Sequence, residues 1–325
     1  MTTTSSTISL NAAKNIRSFD LRRDLKSTAD LIELCFNDTL SDDGRRYLRR
    51  MREASELGSS AHWAALASLR GSFPLSGYVW EVAGELVGNI SMIPFVHQGR
   101  RLYLLANVVV HPNFRRRGIA RAMTESALKK LRRMRVRDAW LQVRSDNPAA
   151  VHLYTSMGFS IQARRTTWKI LPNEIQGAVQ PGIRITPRFS RHWEQQRQWI
   201  DNNYPGNLRW HFYLKAPALK PGLAGWFYRF FLEVDIHHWA AYHNGQFLGV
   251  LSWQAAQTRS DHLWLAASPK TENETLRAIM PFIRKERRIY RPLNFDYPAG
   301  RAVETLLEAG FKEQHTLLWM HKSLS

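Results

Sequence analysis

A weak internal repeat constrains the fold of this chain more than any other feature of its sequence. ELVGNIS (85–91) in the first half matches QFLGVLS (246–252) in the second, and each follows a short turn after an apolar run. Both halves also close on a Gly-Phe pair, in SMGF (156–159) and EAGF (308–311). Glycine is the usual left-handed residue that ends a helix. The repeat predicts two copies of one mixed α/β module, each in the order strand, helix, hairpin, long strand, helix, strand, helix, strand.

The chain is long enough for two such modules. Its 325 residues exceed one ordinary core, and the Pro- and Gly-containing stretch LPNEIQGAVQPG interrupts the middle. We therefore predict a flexible tail at 1–14, a first domain at 15–170, a linker at 171–182 and a second domain at 183–325.

Composition excludes several classes of protein. Hydrophobic residues make up 44% of the chain, which argues against global disorder. No run of 18 apolar residues predicts a membrane span, and the N-terminal sequence lacks the apolar segment of a signal peptide. The single cysteine, Cys35, cannot form an internal disulfide and is interpreted as a small buried hydrophobe. The expected location is the cytoplasm.

The chain is strongly basic, with a formal net charge of +19. Such a field attracts polyanions without determining a fold. Nucleic acid, a membrane surface and a phosphorylated cofactor all remain open as partners, and a solvated basic surface is the alternative.

The segment 101–136 contains the most informative local pattern. RLYLLANVVV (101–110) is an apolar run typical of a central strand, and His111-Pro112 ends it because proline does not continue a ladder. A helix is predicted after Gly118. Apolar or small residues recur on one face of that helix at Ala120, Met123, Ala127, Leu131 and Met134.

The start of that helix is predicted to bind an anion. The first amides of a helix have no partner within it and carry partial positive charge. Gly118 lets a ligand approach the backbone closely, and three consecutive arginines, Arg115, Arg116 and Arg117, add charge. These features suit a pyrophosphate, although neither the triphosphate-binding loop nor the dinucleotide fingerprint is present.

Two motifs at this spacing resemble the GCN5-related N-acetyltransferase (GNAT) superfamily. Its [QR]-x-x-G-x-[GA] motif is matched by Arg115, Gly118 and Ala120. Its downstream N-x-x-A-x-x-L-Y-x-x-x-G-F pattern is matched by Asn147, Ala150, Leu153, Tyr154, Gly158 and Phe159. The clear match covers roughly 77–170. The resemblance implies an α/β fold of two GNAT-like modules, each a mostly antiparallel mixed sheet flanked by helices.

The resemblance also implies a site for acetyl-CoA, between the parallel strands 101–110 and 139–144 where they splay apart. Backbone groups of Val108 and Val110 would bind the acetyl and pantetheine groups, and the amides of 116–121 would wrap the pyrophosphate. The implied cofactor-binding residues are Val108, Val109, Val110, Arg115, Arg116, Arg117, Gly118, Ile119, Ala120, Arg121 and Asn147.

Tyr154 is the predicted catalytic acid, because a phenol with a pKa of about 10 can donate a proton to a departing thiolate. Glu81, His97 and His111 are the groups considered as base. Each is interpreted as structural or solvent-exposed, and the base stays open. No metal site is predicted, since His237 and His238 are adjacent in a strand and point to opposite faces.

The second copy is predicted to bind no cofactor. WLAASPKTENETL (264–276) replaces VVVHPNFRRRGIA. Glu272 and Glu274 would repel a pyrophosphate there. Alignment of the two Gly-Phe pairs places Leu306 at the position of Tyr154.

These features predict an acyl-CoA-dependent N-acyltransferase, most simply an acetyltransferase, acting on an amine of a small molecule or a protein. Residues 41–76 and 204–235 are expected to set acceptor specificity. The alternative is a non-enzymatic nucleic-acid- or ribosome-binding protein that keeps the fold, supported by KKLRRMRVR (129–137) and by aromatics such as Trp226, Phe227 and Tyr228. Those aromatics are instead expected to pack a core.

Overall fold

The computed structural model describes residues 15–40, 42–56, 76–178, 180–212, 214, 216–256, 258–286 and 289–325. The chain divides into two compact units. The first unit runs to Gln162 and adds Trp319–Ser325, and the second comprises Ala163–Leu318. The predicted tail, 1–14, lies outside the described residues. Among those residues, no helix combines the length and the apolar character needed to cross a bilayer.

Within the described residues, the first unit follows the predicted order of elements and also contains a helix at Asp42–Glu56 before the hairpin. Its elements are β1 (Ile16–Ser18), α1 (Leu21–Phe36), α2 (Asp42–Glu56), β2 (Gly77–Val82), β3 (Glu85–His97), β4 (Arg100–Val110), α3 (Ile119–Arg133), β5 (Asp138–Arg144), α4 (Pro148–Ser156) and the start of β6 (Ser160–Ile170).

Strands β1 to β5 lie side by side in chain order in the sheet of the first unit. Neighbours are antiparallel except β4 and β5, which are parallel. The end of the chain completes this unit beyond β5: the amide of Leu324 donates to the carbonyl of Arg137 at 2.8 Å, and His321 Nε2 lies 2.8 Å from Asp138 Oδ1. A mixed sheet of this kind was predicted, and it is confirmed.

The second unit repeats this arrangement. Its elements are β7 (Ile183–Pro187), α5 (Trp193–Asn203), α6 (Ala216–Leu219), α7 (Gly222–Phe231), β8 (Ile236–His243), β9 (Gln246–Gln254), β10 (Asp261–Ala267), α8 (Glu272–Ile283), β11 (Leu293–Pro298), α9 (Val303–Glu308) and the first part of β12 (Lys312–Ser323). Neighbours β7–β8, β8–β9 and β9–β10 are antiparallel, and β10–β11 is parallel.

Strand β6 contributes its later residues to the second unit. Residues 165–170 of β6 pair antiparallel with 293–298 of β11, so the compact units divide at Gln162, ahead of the predicted linker at 171–182. Within that stretch Pro172–Glu174 forms one short 3-10 turn. The predicted boundaries at 170 and 183 divide the chain by the order of its elements along the sequence, and they stay a prediction.

Two elements end early. Strand β1 ends at Ser18, because Asp20 caps α1 and its carboxylate accepts from the amide of Arg22 at 2.8 Å. Met134, predicted on the buried face of α3, is 40% exposed because the helix ends at Arg133. Met123, Ala127 and Leu131 on that face are buried as predicted, whereas Ala120 is only half-buried.

The two units share local details that the sequence repeat predicted. Each hairpin turns through two residues with positive φ, Ala83-Gly84 and Asn244-Gly245, as type I′ turns require. Each has a register shift at the same distance before the turn, after Trp80 and after Ala241. The predicted C-caps at Gly158 and Gly310 have φ values of 82° and 96°.

Both helix ends form the same hydrogen-bond pattern. The amide of Phe159 donates to the carbonyl of Tyr154 at 3.0 Å, and the amide of Phe311 donates to that of Leu306 at 2.9 Å. A bond spanning five residues beside a left-handed glycine defines the Schellman motif. Leu306 therefore occupies the local position of Tyr154, as the alignment predicted.

The shared glycine of the repeat allows a helix to approach the sheet closely. A Cβ on Gly88 would lie 3.1 Å from atoms of Ile119 and Met123 in α3, and one on Gly249 would lie 2.8 Å from Thr275 Oγ1 in α8. The repeat thus preserves the site at which the helix following the long strand packs on the hairpin.

We expect Gly249→Ala to destabilise the protein by about 1–3 kcal/mol, because its Cβ would also meet the Ala266 carbonyl oxygen at 2.8 Å. Chemical denaturation measures the change. Gly206→Ala is the control, since a Cβ there meets nothing within 4 Å. Equal stability of the two variants would contradict the close-packing role.

Candidate functional site

Strands β4 and β5 separate at their C-terminal ends. Their parallel pairing runs from Leu102↔Asp138 to Leu105↔Leu141, whereas β4 continues to Val110 and β5 to Arg144. The unpaired ends leave a gap between two neighbouring parallel strands. The sequence resemblance implied a splay between these strands.

A bulge in β4 coincides with the start of this gap. Its pairing with β3 passes from Asn89↔Val109 to Ser91↔Ala106, so β4 has one extra residue there. Asn107 lies in this bulge with φ of 49°, a left-handed conformation that asparagine tolerates better than most residues. A bulge bends and twists its own strand, which accounts for the departure of β4 from β5.

Buried polar side chains hold the bulge in place. Asn89, fully buried, donates from Nδ2 to the Asn107 carbonyl at 2.9 Å. The Asn107 amide group donates to Ser91 Oγ at 3.3 Å and to the Tyr47 hydroxyl at 3.4 Å. Sequence reasoning missed this cluster. The available signal was a polar asparagine inside an otherwise apolar strand.

The backbone of Val108 and Val110 faces the gap. The amide of His111 donates to the Val87 carbonyl of β3 at 2.8 Å, and successive residues of a strand direct their polar groups to opposite sides. The amides and carbonyls of Val108 and Val110 therefore point away from β3. The carbonyl of Val110 already accepts from Arg115 Nε at 3.1 Å.

Helix α3 begins beside this gap with Gly118 as its left-handed N-cap, at φ of 77°. The amide of Ala122 donates to the Gly118 carbonyl at 3.0 Å, so the amides of residues 119–121 have no acceptor within the helix. Added to the macrodipole, they give the helix start the positive character that was predicted. A Cβ on Gly118 would meet nothing within 4 Å, so space for a ligand lies directly over the backbone.

The three arginines differ in their contacts. Arg115 bonds the end of β4, whereas Arg117 donates to the Asn113 carbonyl at 3.1 Å and lies 5.2 Å from the centre of the Phe114 ring. Arg116 adopts a positive φ of 65°. All three side chains are exposed, so their charge is available to an anion at the helix start.

Helix α4 carries the remaining predicted residues. The Asn147 side chain caps α4 by accepting from the Ala150 amide at 3.1 Å. Arg121 of α3 donates to Ser156 Oγ at 2.6 Å, which ties the end of α4 to the start of α3. Tyr154 lies between these contacts and is only 6% exposed. Burial raises the pKa of Tyr154 well above its ordinary value, so its hydroxyl stays protonated at neutral pH.

The groups considered as base have structural contacts. Glu81 pairs with Arg17 at 2.7 Å and with Arg23 at 2.8 Å, and the hydrogen bond from Arg17 lowers the pKa of its carboxyl group. His111 accepts from the Asn113 amide at 3.3 Å and caps the turn after β4. His97 ends β3. No base is assigned.

Cys35 lies near the end of α1, where it packs half-buried against the core and donates to the Val110 carbonyl at 3.4 Å. His238 bonds Ser252 Oγ at 2.7 Å, whereas His237 approaches Asp235 at 3.2 Å. Within the ranges that the structure describes, His, Cys, Asp and Glu side chains form no group of three or more suited to a metal ion.

The equivalent gap in the second unit is filled by its own side chains. Strands β10 and β11 pair only as far as Leu263↔Phe295 before they separate. Asn203 is buried there and donates to the carbonyls of Leu265 at 3.0 Å and Ala267 at 3.3 Å. The Tyr204 hydroxyl accepts from the Leu265 amide at 3.2 Å. Backbone groups of this strand are thus already bonded.

An ion pair closes the same region. Arg301 pairs with Glu272, whose carboxylate also accepts from the Tyr297 hydroxyl at 2.7 Å. Arg301 donates in addition to Asn203 Oδ1 at 3.0 Å. Glu272 and Glu274 lie in the first turn of α8, as predicted. The start of this helix is therefore acidic.

We expect Asn203→Leu to destabilise the protein by about 1–3 kcal/mol, because it leaves buried carbonyls and one bond of Arg301 without a partner. Urea unfolding measures the loss. Asn202→Leu is the matched control, since Asn202 is exposed on the same helix. A loss no larger than that of the control would show that Asn203 does not stabilise the gap.

Comparison with known proteins identifies a family segment within the first unit. Residues 36–159 match the model of the Acetyltransferase (GNAT) family. The "[Ribosomal protein bS18]-alanine N-acetyltransferase" of Escherichia coli (strain K12) is 41% identical over 56 residues, which are 17% of this chain and 38% of that protein. The matched segment thus spans well under half the length of that relative.

Solved structures show the same fold over both units. A GCN5-related N-acetyltransferase from Sphaerobacter thermophilus has a TM-score of 0.56 at 13% identity, covering 95% of each chain. A tandem GNAT protein from the clavulanic acid biosynthesis pathway has a TM-score of 0.50 at 13% identity, covering 95% of this chain and 98% of that one. The family match thus lies within the first unit, and these solved structures show that the whole chain shares their fold.

Proposed function

We propose that the first unit is an N-acetyltransferase that binds acetyl-CoA in the gap between β4 and β5. The observation that carries this proposal is the position of the gap directly beside the start of α3. An extended thioester arm can lie along the unpaired end of β4, beside the amides of Val108 and Val110, while its pyrophosphate meets the amides after Gly118. In the second unit, by contrast, Asn203 and Tyr204 bond the strand edge, and the helix start is acidic.

The residues present suit this ligand. The amides of Val108 and Val110 face the gap as hydrogen-bond donors, and the space over Gly118 admits a pyrophosphate against the backbone. Arg115, Arg116 and Arg117 supply charge for phosphate groups. Asn147 acts first as the cap of α4, and we propose that its exposed side chain also borders the pantetheine.

The reaction transfers the acetyl group directly. A neutral amine attacks the thioester carbon and forms the new C–N bond, and negative charge develops on the carbonyl oxygen. A backbone amide of the β4 edge donates to that oxygen. The C–S bond then breaks as the carbonyl forms again, and the thiolate leaves with a hydrogen bond or a proton from Tyr154. The proton of the attacking amine passes to water, and a proton from solvent restores the Tyr154 hydroxyl.

The acceptor is an amine of a small molecule or of a protein. The name of the Escherichia coli relative specifies alanine of a ribosomal protein, which makes a peptide N-terminus the first acceptor to test here. Cytoplasmic action would suit such an acceptor and stays a prediction.

A thiol-release screen tests the proposed activity. The full chain is incubated with acetyl-CoA and panels of small amines and N-terminal peptides, and free CoA is measured against hydrolysis alone. We expect at least one amine to increase release. Acetyl-CoA binding measured by calorimetry separates a missing acceptor from a missing cofactor site. Absence of binding would refute the proposal.

A basic cluster supports nucleic-acid binding as the second candidate function. Arg100, Arg101, Arg135 and Arg137 line one open pocket together with Asp138. Four arginines around a pocket suit phosphate groups. This candidate predicts RNA affinity that falls steeply with salt and weakens in Arg135→Glu. RNA binding without acetyl-CoA binding would favour it over the acetyltransferase.

A further inference from the structure

Helix α7 in the second unit displays an apolar stripe to solvent. Leu223, Trp226, Phe227, Phe230 and Phe231 recur at the spacing of one helix face, and they are 76%, 49%, 48%, 64% and 73% exposed, respectively. The expectation that Trp226 and Phe227 pack a core is therefore wrong. The stripe has the usual period of a buried face but points outward.

The opposite face of α7 fixes this orientation. Gly225 is buried, and a Cβ there would lie 1.7 Å from the Lys220 carbonyl oxygen. Arg229 donates from Nη1 to the carbonyls of Ala218 at 2.9 Å and Lys220 at 3.1 Å, and so bonds α7 to the end of α6. Rotation of the stripe inward would break these contacts.

The exposed rings are ordered against one another. Trp226 stacks on Phe230 with centroids 5.3 Å apart and planes 13° apart, and Phe227 stacks on Phe231 at 6.2 Å and 15°. Leu232, 57% exposed, extends the apolar surface past the helix end. The side chains form one continuous apolar surface, as an interaction site does.

Charge identifies the kind of partner. Two copies of a chain with a net charge of +19 repel each other, which disfavours a stripe-to-stripe dimer. Lys220, exposed two residues before α7, carries positive charge beside the stripe, whereas Glu233 and Asp235, exposed beyond its end, carry negative charge. The net charge of the whole chain therefore selects the partner, which must offer hydrocarbon together with negative charge, and an anionic phospholipid surface offers both.

The ring geometry favours lipid over RNA. Bases stack on free aromatic faces in a charged groove, whereas here the rings stack on each other along a helix and the leucines offer no ring. A ten-residue helix is about 15 Å long, too short to span a bilayer but suited to lie in its interface. We propose that α7 inserts its apolar stripe into an anionic membrane surface.

Vesicle sedimentation tests this proposal with the full chain. Vesicles of phosphatidylcholine alone are compared with vesicles containing about 30% phosphatidylglycerol, whose charge attracts basic surfaces. We expect binding to the anionic vesicles only, weakened by salt. The double variant Phe230→Ser/Phe231→Ser should lower partitioning at least about tenfold. Val96→Ser, at a residue 72% exposed in the first unit, should leave it unchanged.

Other outcomes would overturn the proposal. The proposal would be wrong if the unaltered chain bound no vesicles, or if the double variant bound them equally well. It would also be wrong if the chain bound RNA and the double variant lost that binding. Analytical ultracentrifugation supplies a further test, because a dimer that the double variant dissolves would assign the stripe to a second copy. Thermal unfolding of the double variant tests whether it remains folded. Each readout is independent of acetyl transfer.

Discussion

The full chain carrying Gly118→Glu is expected to bind acetyl-CoA at least ~100-fold more weakly, because the change acts on both shape and charge. Gly118 has φ of 77°, a conformation that side chains rarely adopt, and its Cβ would project into open space over the helix start. Glutamate there fills the space that a pyrophosphate needs. Its carboxylate also meets the amides of 119–121, so it competes for the same donors and repels phosphate. Calorimetry with acetyl-CoA measures the loss.

Two control variants separate the site from general strain. Gly99→Glu introduces the same side chain at a glycine with φ of 73° and nothing within 4 Å of its Cβ, and it lies at the other end of β4. It should retain acetyl-CoA binding. Gly118→Ala imposes the backbone strain without the charge and should weaken binding less. If Gly118→Glu bound as well as Gly99→Glu, the pyrophosphate position proposed here would be wrong.

Local sequence patterns were sufficient to predict most elements of the fold. Alternating and continuous apolar runs identified the hairpins and the long strand β4, and the Gly-Phe pairs identified equivalent helix ends at Gly158 and Gly310. These signals depend on residues close in sequence, where φ preferences and periodicity act directly. The same reasoning identified Gly118 as a helix start, because a glycine after a strand and before an amphipathic run has few other roles.

Features that depend on distant residues could not be predicted in this way. Asn203 bonds carbonyls about sixty positions away, at Leu265 and Ala267, and nothing in its own segment indicates this. Residues 165–170 belong to the second unit because they pair with β11. The outward direction of the α7 stripe follows from Gly225 and Arg229, since periodicity identifies a face without showing what it contacts.

The two units differ in what lies in the gap between their parallel strands. Both contain parallel strands that separate, and both place a helix start beside the gap. In the first unit the edge of β4 faces an open gap next to basic residues, whereas in the second Asn203 and Tyr204 bond the edge of β10 and Glu272 holds Arg301. These contacts add a steric reason to the electrostatic one for predicting that the second unit binds no cofactor.

Tyr154→Phe is expected to lower kcat by about 10²–10⁴-fold, the usual contribution of a positioned acid. The phenylalanine ring retains the edge contact with Phe159, whose centroid lies 5.9 Å away, so stability and acetyl-CoA affinity should change little. Steady-state thiol release with the best acceptor measures kcat. Tyr103→Phe removes a hydroxyl from an equally buried tyrosine in β4 and should leave kcat within a few-fold.

The raised pKa of Tyr154 refines its proposed role. Burial disfavours the phenolate, so the phenol is protonated at neutral pH and remains so as pH rises past its ordinary value of about 10. It is also a weaker acid than a free phenol. Tyr154 therefore serves best as a hydrogen-bond donor while charge builds on sulfur, with proton transfer completing as the thiolate departs. Ionisation of Tyr154 should then cause no loss of kcat between pH 7 and about 10. Full turnover by Tyr154→Phe would refute this assignment, whereas an equal loss in Tyr103→Phe would indicate a packing effect.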